Sequence, residues 1–218
     1  TELGNEQRIA NILSNMGSVY YTIGQHVEAI EYSLRALKLA ERLGDTLRIG
    51  TLLLNMGAVY TDLNSLDSGL IYYARAVEIA ESLGDNDMRG IATLNIGEAY
   101  LEKEAYDTAL YYFEKALTIL QSPVDIAFCL TFIGNIYAEK EAYEQALIYL
   151  NDALKLAVEE NAQREMVGIL VSLAIIYESL DQLDATFGYL KQAESIAEEI
   201  GLNEELSGIY EGLADNYA

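Results

Sequence analysis

Three asparagines, Asn15, Asn55 and Asn95, stand 40 residues apart. A primary amide carries two donors and an acceptor, so it can pair with a peptide backbone of either polarity. A row of amides at one spacing can therefore hold an extended chain without reading its side chains. The competing reading is that these amides satisfy neighbouring helices or face water. Arginines accompany them. Arg8 and Arg48 lie seven residues before Asn15 and Asn55, two helical turns away on the same face, and Arg89 lies six before Asn95. A guanidinium so placed can grip a carboxylate through two parallel hydrogen bonds, or pair with local acids such as Glu6 or Asp87.

No other pattern suggests reaction chemistry. His26 is the single histidine, and alone it builds neither a metal site nor a triad. Cys129 is the single cysteine and sits in the apolar run IAFCLTF, where a buried small hydrophobe is expected. There is no phosphate loop, no G-x-S-x-G and no metal-ligand spacing. The expectation is a protein that is not an enzyme and uses no cofactor or metal.

The formal charge is −22 over 218 residues. Residues 1–110 carry 8 basic and 16 acidic groups, and residues 111–218 carry 5 and 19. So acidic a surface repels phosphate backbones, which argues against nucleic acid. A basic or amphipathic protein segment is the better partner, although an acidic surface also serves solubility alone. No apolar run reaches the ~18–20 residues of a membrane span, and no leader pattern is visible. No membrane association and a cytoplasmic setting are expected.

The elements that must position these side chains come from a repeat. Gly17, Gly57, Gly97, Gly134, Ala174 and Ala214 form one series, and Tyr20, Tyr60, Tyr100, Tyr137, Tyr177 and Tyr217 follow three residues behind. Both step by 40, 40, 37, 40 and 40. A second set, Tyr32, Tyr72, Tyr112, Tyr149 and Tyr189, precedes Ala36, Ala76, Ala116, Ala153 and Ala193 in phase. Each unit reads as two helices, for example Glu6 to Ile23 and His26 to Leu43, with small residues where the axes approach. The large tyrosine beside each small residue is expected to fill the gap left for the neighbour, and the second tyrosine series to pack half-buried. A hairpin cannot bury both its faces alone, so neighbours must stack. Leu43 to Asp45 and Leu83 to Asp85 spell a left-handed glycine followed by an N-cap. Ser122 with Pro123, and Asn161, replace that motif in later units. Thr1 to Asn5 looks like the tail of an earlier second helix, with Gly4 closing it and Asn5 capping the next. The expected units are 6–45, 46–85, 86–122, 123–162 and 163–202, with 1–5 a preceding tail and 203–218 a half repeat or capping helix of a longer array.

This pattern of a large residue, L-G and Y in one helix, and A, F or Y, and A in the next, resembles the tetratricopeptide repeat. The unit exceeds the common 34 residues and is similar to the longer repeats of Pins-type adaptors and of bacterial sensor and regulator proteins. The usual tryptophan is replaced by Leu13, Leu53, Thr93, Leu130 and Leu170. The resemblance implies an all-α fold, a right-handed α-solenoid (superhelix) of antiparallel helix hairpins with about 11 helices. It implies that all 218 residues form one array whose first helices line a concave groove.

At the family's groove offsets stand Asn15, Asn55 and Asn95, then Ser18, Glu98 and Asn135, and further on Tyr21, Asp62, Glu102 and Glu139. Asparagine at the first offset holds peptides in members of the family that bind them. The clamp that takes acidic chaperone tails needs lysine or arginine where Ser14 and Asn15, Leu54 and Asn55, and Leu94 and Asn95 stand, so that ligand class is not expected. Acids gather later in the groove at Glu98, Glu102, Glu139, Glu178, Glu211 and Asp215, which favours a basic half in the ligand. The function implied is a scaffold that binds a peptide or helical segment of a partner in this groove. The alternative is a sensory or dimerisation module of a larger signalling protein such as a kinase, cyclase or regulator, working through self-association. The exposed edge near Tyr210 and Tyr217 is a candidate for that.

Overall fold

Left-handed residues punctuate the chain at regular intervals. In the computed structural model, which describes residues 2–215, Gly44, Gly84 and Gly201 have φ of 69, 66 and 74° and each closes a helix. The next helix is capped at once: the Asp45 carboxylate accepts from the Arg48 amide and the Asp85 carboxylate from the Met88 amide. Ser122 accepts from the Asp125 amide, with Pro123 in the first turn, where a missing N–H costs nothing. Asn161 takes the glycine's place at φ 52°.

Eleven helices result among the described residues, with no strand. They are α1 (Glu2–Thr22), α2 (His26–Leu43), α3 (Thr46–Asp62), α4 (Leu66–Leu83), α5 (Asn86–Glu102), α6 (Tyr106–Leu117), α7 (Pro123–Glu139), α8 (Tyr143–Glu159), α9 (Gln163–Ser179), α10 (Leu183–Ile200) and α11 (Asn203–Asp215). The expected break at Gly4 and Asn5 does not occur, because α1 runs through both. A left-handed glycine closes the carbonyls of a helix before it, and no such helix precedes Gly4 among the described residues.

The chain divides into two compact units, Thr1–Leu120 and Gln121–Ala218. In the first, the hairpins α1–α2, α3–α4 and α5–α6 stack through α2 on α3 and α4 on α5, and α1, α3 and α5 neighbour one another in turn. Its core joins Leu13, Ala36, Leu37 and Ala40 to Leu52, Leu53, Met56, Ala76 and Ala92. In the second, α7–α8 and α9–α10 pair, with α8 on α9 and α10 on α11. Its cores centre on Ala146, Leu150, Ala153 and Leu173 and on Leu170, Leu190, Ala193 and Ile209.

The turn inside each hairpin follows one plan. Gln25, Ser65, Ala105, Ala142 and Gln182 donate their amides back to the carbonyls of Tyr20, Tyr60, Tyr100, Tyr137 and Tyr177. This six-to-one bond needs a left-handed residue just before the donor. Gly24, Asn64, Glu104, Glu141 and Asp181 supply it, with φ of 73, 54, 56, 56 and 58°.

The two tyrosine series meet. Tyr20 stacks on Tyr32, Tyr60 on Tyr72, Tyr100 on Tyr112, Tyr137 on Tyr149 and Tyr177 on Tyr189, with ring centroids 5.1–5.4 Å apart. All ten rings are half-buried, so both series serve hairpin packing, at ~0.5–1.5 kcal/mol per pair beyond area burial. The gap over the small residue is filled by a different side chain from the expected tyrosine. Tyr73 lies against Gly57, Phe113 against Gly97 and Leu150 against Gly134, each sixteen residues on. The tyrosine three residues along stacks instead on the tyrosine of the second helix.

Candidate functional site

The first helices of the first unit place the asparagines in one register. Asn15 is exposed on α1, while Asn55 on α3 and Asn95 on α5 are half-buried. The Asn55 Nδ2 donates to Ser18 Oγ at 3.4 Å, a weak bond between neighbouring first helices. Ser18 in turn donates to the Ser14 carbonyl at 3.3 Å. The side chains of Asn15 and Asn95 make no hydrogen bond among the described residues, so their amides retain donors and acceptors for a ligand.

One to two turns further along the same helices lies an acidic patch. The Tyr21 phenol on α1 lies beside the Asp62 carboxylate on α3. Burial, then Asp62 and Glu98, push that phenol up to about 12. The Glu98 carboxyl on α5 is pushed up to about 7 by burial and by the charges of Glu102 and Asp62. Glu102 is raised too, by burial and then by Asp62. No cation contributes to any of these three shifts. Three carboxyls therefore share a site with one another and a phenol, which is the arrangement a Lys or Arg side chain would relieve.

Arg48 and Arg89 are taken up locally, with partners other than Glu6 and Asp87. Arg48 Nε donates to Asp45 Oδ2 at 2.9 Å, and Gln7 Nε2 on α1 donates to the same oxygen at 3.0 Å. Arg48, Asp45 and Ser14 line a recess of about 160 Å³ with Leu47 and Thr51. Arg89 donates to Asn86 Oδ1 at 2.9 Å, and its Nε is buried without a partner among the described residues. The register puts Met88, not Arg89, at the place of Arg8 and Arg48, and Met88 packs over Gly50. Glu6 accepts from Arg42 at 2.7 Å. Arg8 is exposed.

Asn135, half-buried, and Glu139, exposed, sit on α7 in the second unit. There Phe132 and Ser172 occupy the asparagine register, and Phe132 packs edge-on to Phe128 at 4.7 Å. Glu178 is exposed on α9. The side chains of Glu211 and Asp215, and all of Tyr217, lie outside the described residues. Tyr210 donates to Glu198 Oε1 at 3.1 Å. Cys129 is buried, its thiol pushed up to about 12 by burial. No group of metal-ligating side chains occurs among the described residues. No described helix is long and apolar enough to cross a membrane.

Stacked antiparallel hairpins that leave unpaired polar groups along one row of helices define a helical-repeat scaffold. The sequence matches the tetratricopeptide repeat over residues 8–68 and 48–122, and again over 129–157. These matches take in more than half of the chain, and it belongs to the tetratricopeptide repeat family.

Solved structures share the fold. BtubC from P. vanneervenii is similar with a TM-score of 0.74 at 15% identity, over 91% of this chain and 88% of that one. A Rap protein complexed with competence and sporulation factor is similar with a TM-score of 0.71 at 19% identity, over 100% of this chain and 64% of that one. A signal-transduction ATPase of the STAND class with a tetratricopeptide repeat sensor, from Pyrococcus horikoshii, reaches a TM-score of 0.80 at 19% identity, over 94% of this chain and 32% of that one. Comparison with curated protein sequences finds no match.

Proposed function

We propose that this chain is a protein-interaction module, not an enzyme, and that it holds an extended segment of a partner along α1, α3 and α5. Asn15, Asn55 and Asn95 pair with the segment's backbone. A Lys or Arg of the segment enters between Tyr21, Asp62, Glu98 and Glu102. The observation that carries this reading is Glu98, a half-buried carboxyl with two acidic neighbours and no cation, one turn beyond the asparagine row. A fold shared with a Rap protein solved with a bound factor is consistent with it.

The test is selection from a library of ~15-residue peptides, followed by affinity measurement on Asn55→Ala/Asn95→Ala and on Glu98→Gln. Each amide contributes about 0.5–1.5 kcal/mol net, so the double variant should weaken binding roughly 5- to 150-fold. Selected peptides should carry a basic residue at one position, and binding should weaken with salt. Unchanged affinity in the double variant would remove the asparagines from the site.

The alternative is a sensor segment of a larger signalling protein, favoured by the STAND neighbour, of which the matched region is about a third. Self-association, seen as a mass that rises with concentration, would select it.

A further inference from the structure

The outer face of α1 has the composition of an interior interface and the exposure of a surface. In register, Ile12, Leu52 and Ala92 correspond, as do Val19, Val59 and Ala99. Leu52, Ala92 and Ala99 are 0% exposed and Val59 1%, whereas Ile12 is 58% and Val19 59% exposed. Ile9 and Ile23 extend the same stripe at 42% and 59%. From Ile9 to Gln25 no side chain is charged, in a chain that is 22% charged. A terminal repeat that ends an array in water carries a polar outer face, and α1 does not.

What covers the equivalent face elsewhere is visible. On α3 it is α2, whose Ala36, Leu37 and Ala40 join Leu52 and Met56 in one core. The α1 face continues that interface by one step. Among the described residues a second copy of this chain has no helix of that kind to offer, because Ala36, Ala76, Ala116, Ala153 and Ala193 are each 0% exposed.

We infer that α1 is a docking surface for an amphipathic helix from outside these 218 residues, one that presents two alanines four apart with a leucine beside the first, as α2 does to α3. Small residues let its axis approach closely, and Ile12, Met16 and Val19 fill the space between them. The site is separate from the asparagine row and does not depend on it.

The experiment compares the 218-residue chain with one in which residues 6–45 are duplicated ahead of Glu6, so that a copy of α2 precedes α1. Ile12→Asn, at the α1 position, is placed in both. In the extended chain it should lower the melting temperature by several degrees, and in the original chain leave it unchanged, because there the side chain faces water. Amide exchange across α1 should slow at least about tenfold on extension. Equal effects of Ile12→Asn in the two chains, with unchanged exchange, would overturn the inference. So would a concentration-dependent dimer of the original chain that Ile12→Asn abolishes, since that would assign the face to a second copy.

Discussion

The ring of Tyr73 lies over Gly57 so closely that a Cβ on the glycine would fall 2.3 Å from Tyr73 Cε1. The same relation joins Phe113 to Gly97, where the distance is 2.8 Å. Glycine here is a matter of volume: the first helix gives up a side chain so that the second can lay a ring against its backbone.

Gly57→Ala should therefore destabilise the chain. Overpacking costs about 1–3 kcal/mol, and the better helix propensity of alanine returns up to ~1 kcal/mol, leaving a net loss of about 1–2 kcal/mol. Gly168 in α9 is the control, since nothing lies within 4 Å of a Cβ there. Gly168→Ala should stabilise by about 0.5–1 kcal/mol. Urea unfolding followed by helical circular dichroism measures both, and the same sign for the two would refute the packing argument.

Glu104 and Glu141 hold left-handed turns with φ of 56°. A side chain in that conformation costs about 1–2 kcal/mol. Glycine removes the cost but loses more entropy on folding. Glu104→Gly and Glu141→Gly should each stabilise by about 0.5–1 kcal/mol. A loss of stability in thermal melts of either variant would show that the glutamate does something else.

The Glu98 carboxyl, raised from 4.5 to about 7, couples folding to pH. A raised folded value means that the folded state holds the proton more tightly. This contribution is complete below pH 4.5 and is lost as pH rises through 7. Its size is on the order of 1–3 kcal/mol, shared with Glu102, whose carboxyl is raised as well. Glu98→Gln should remove most of this dependence and make the chain more stable than the parent at pH 8. Parallel slopes for parent and variant between pH 4.5 and 7, in urea midpoints, would contradict it.

Asp45 does three things where Asp85 is seen to do one. Its carboxylate caps α3, receives Arg48 and takes a bond from Gln7 of α1. The Asp85 carboxylate accepts the Met88 amide as the cap of α5. Loss of a cap costs about 0.5–2 kcal/mol. Asp45→Ala should lie at or above the top of that range, and Asp85→Ala within it. The comparison by urea unfolding fails if the two variants lose the same stability.

Much of the fold was legible in the chain because its causes are local and recur. A left-handed glycine and an aspartate cap end one helix and begin the next wherever they stand, so helix limits such as Leu43 and Thr46 could be read directly. The small residue and the tyrosine behind it repeat in type, which revealed the repeat. The filler sixteen residues after each small residue has no fixed residue type, since Ser33, Tyr73, Phe113, Leu150 and Leu190 stand there. They answer only to the volume left in each rung.

The sequence by itself determined the helices, their pairing into hairpins and the family, since capping, periodicity and small-residue contacts act within one or two neighbouring segments. Tertiary packing decided the rest. It sent Arg48 to Asp45, half-buried Glu98 beside Asp62 and Glu102, and left Ile12 and Val19 bare. The charge-poor run of α1 reads much like that of α3, and burial is a property of what lies against a side chain, which no stretch of sequence carries for itself.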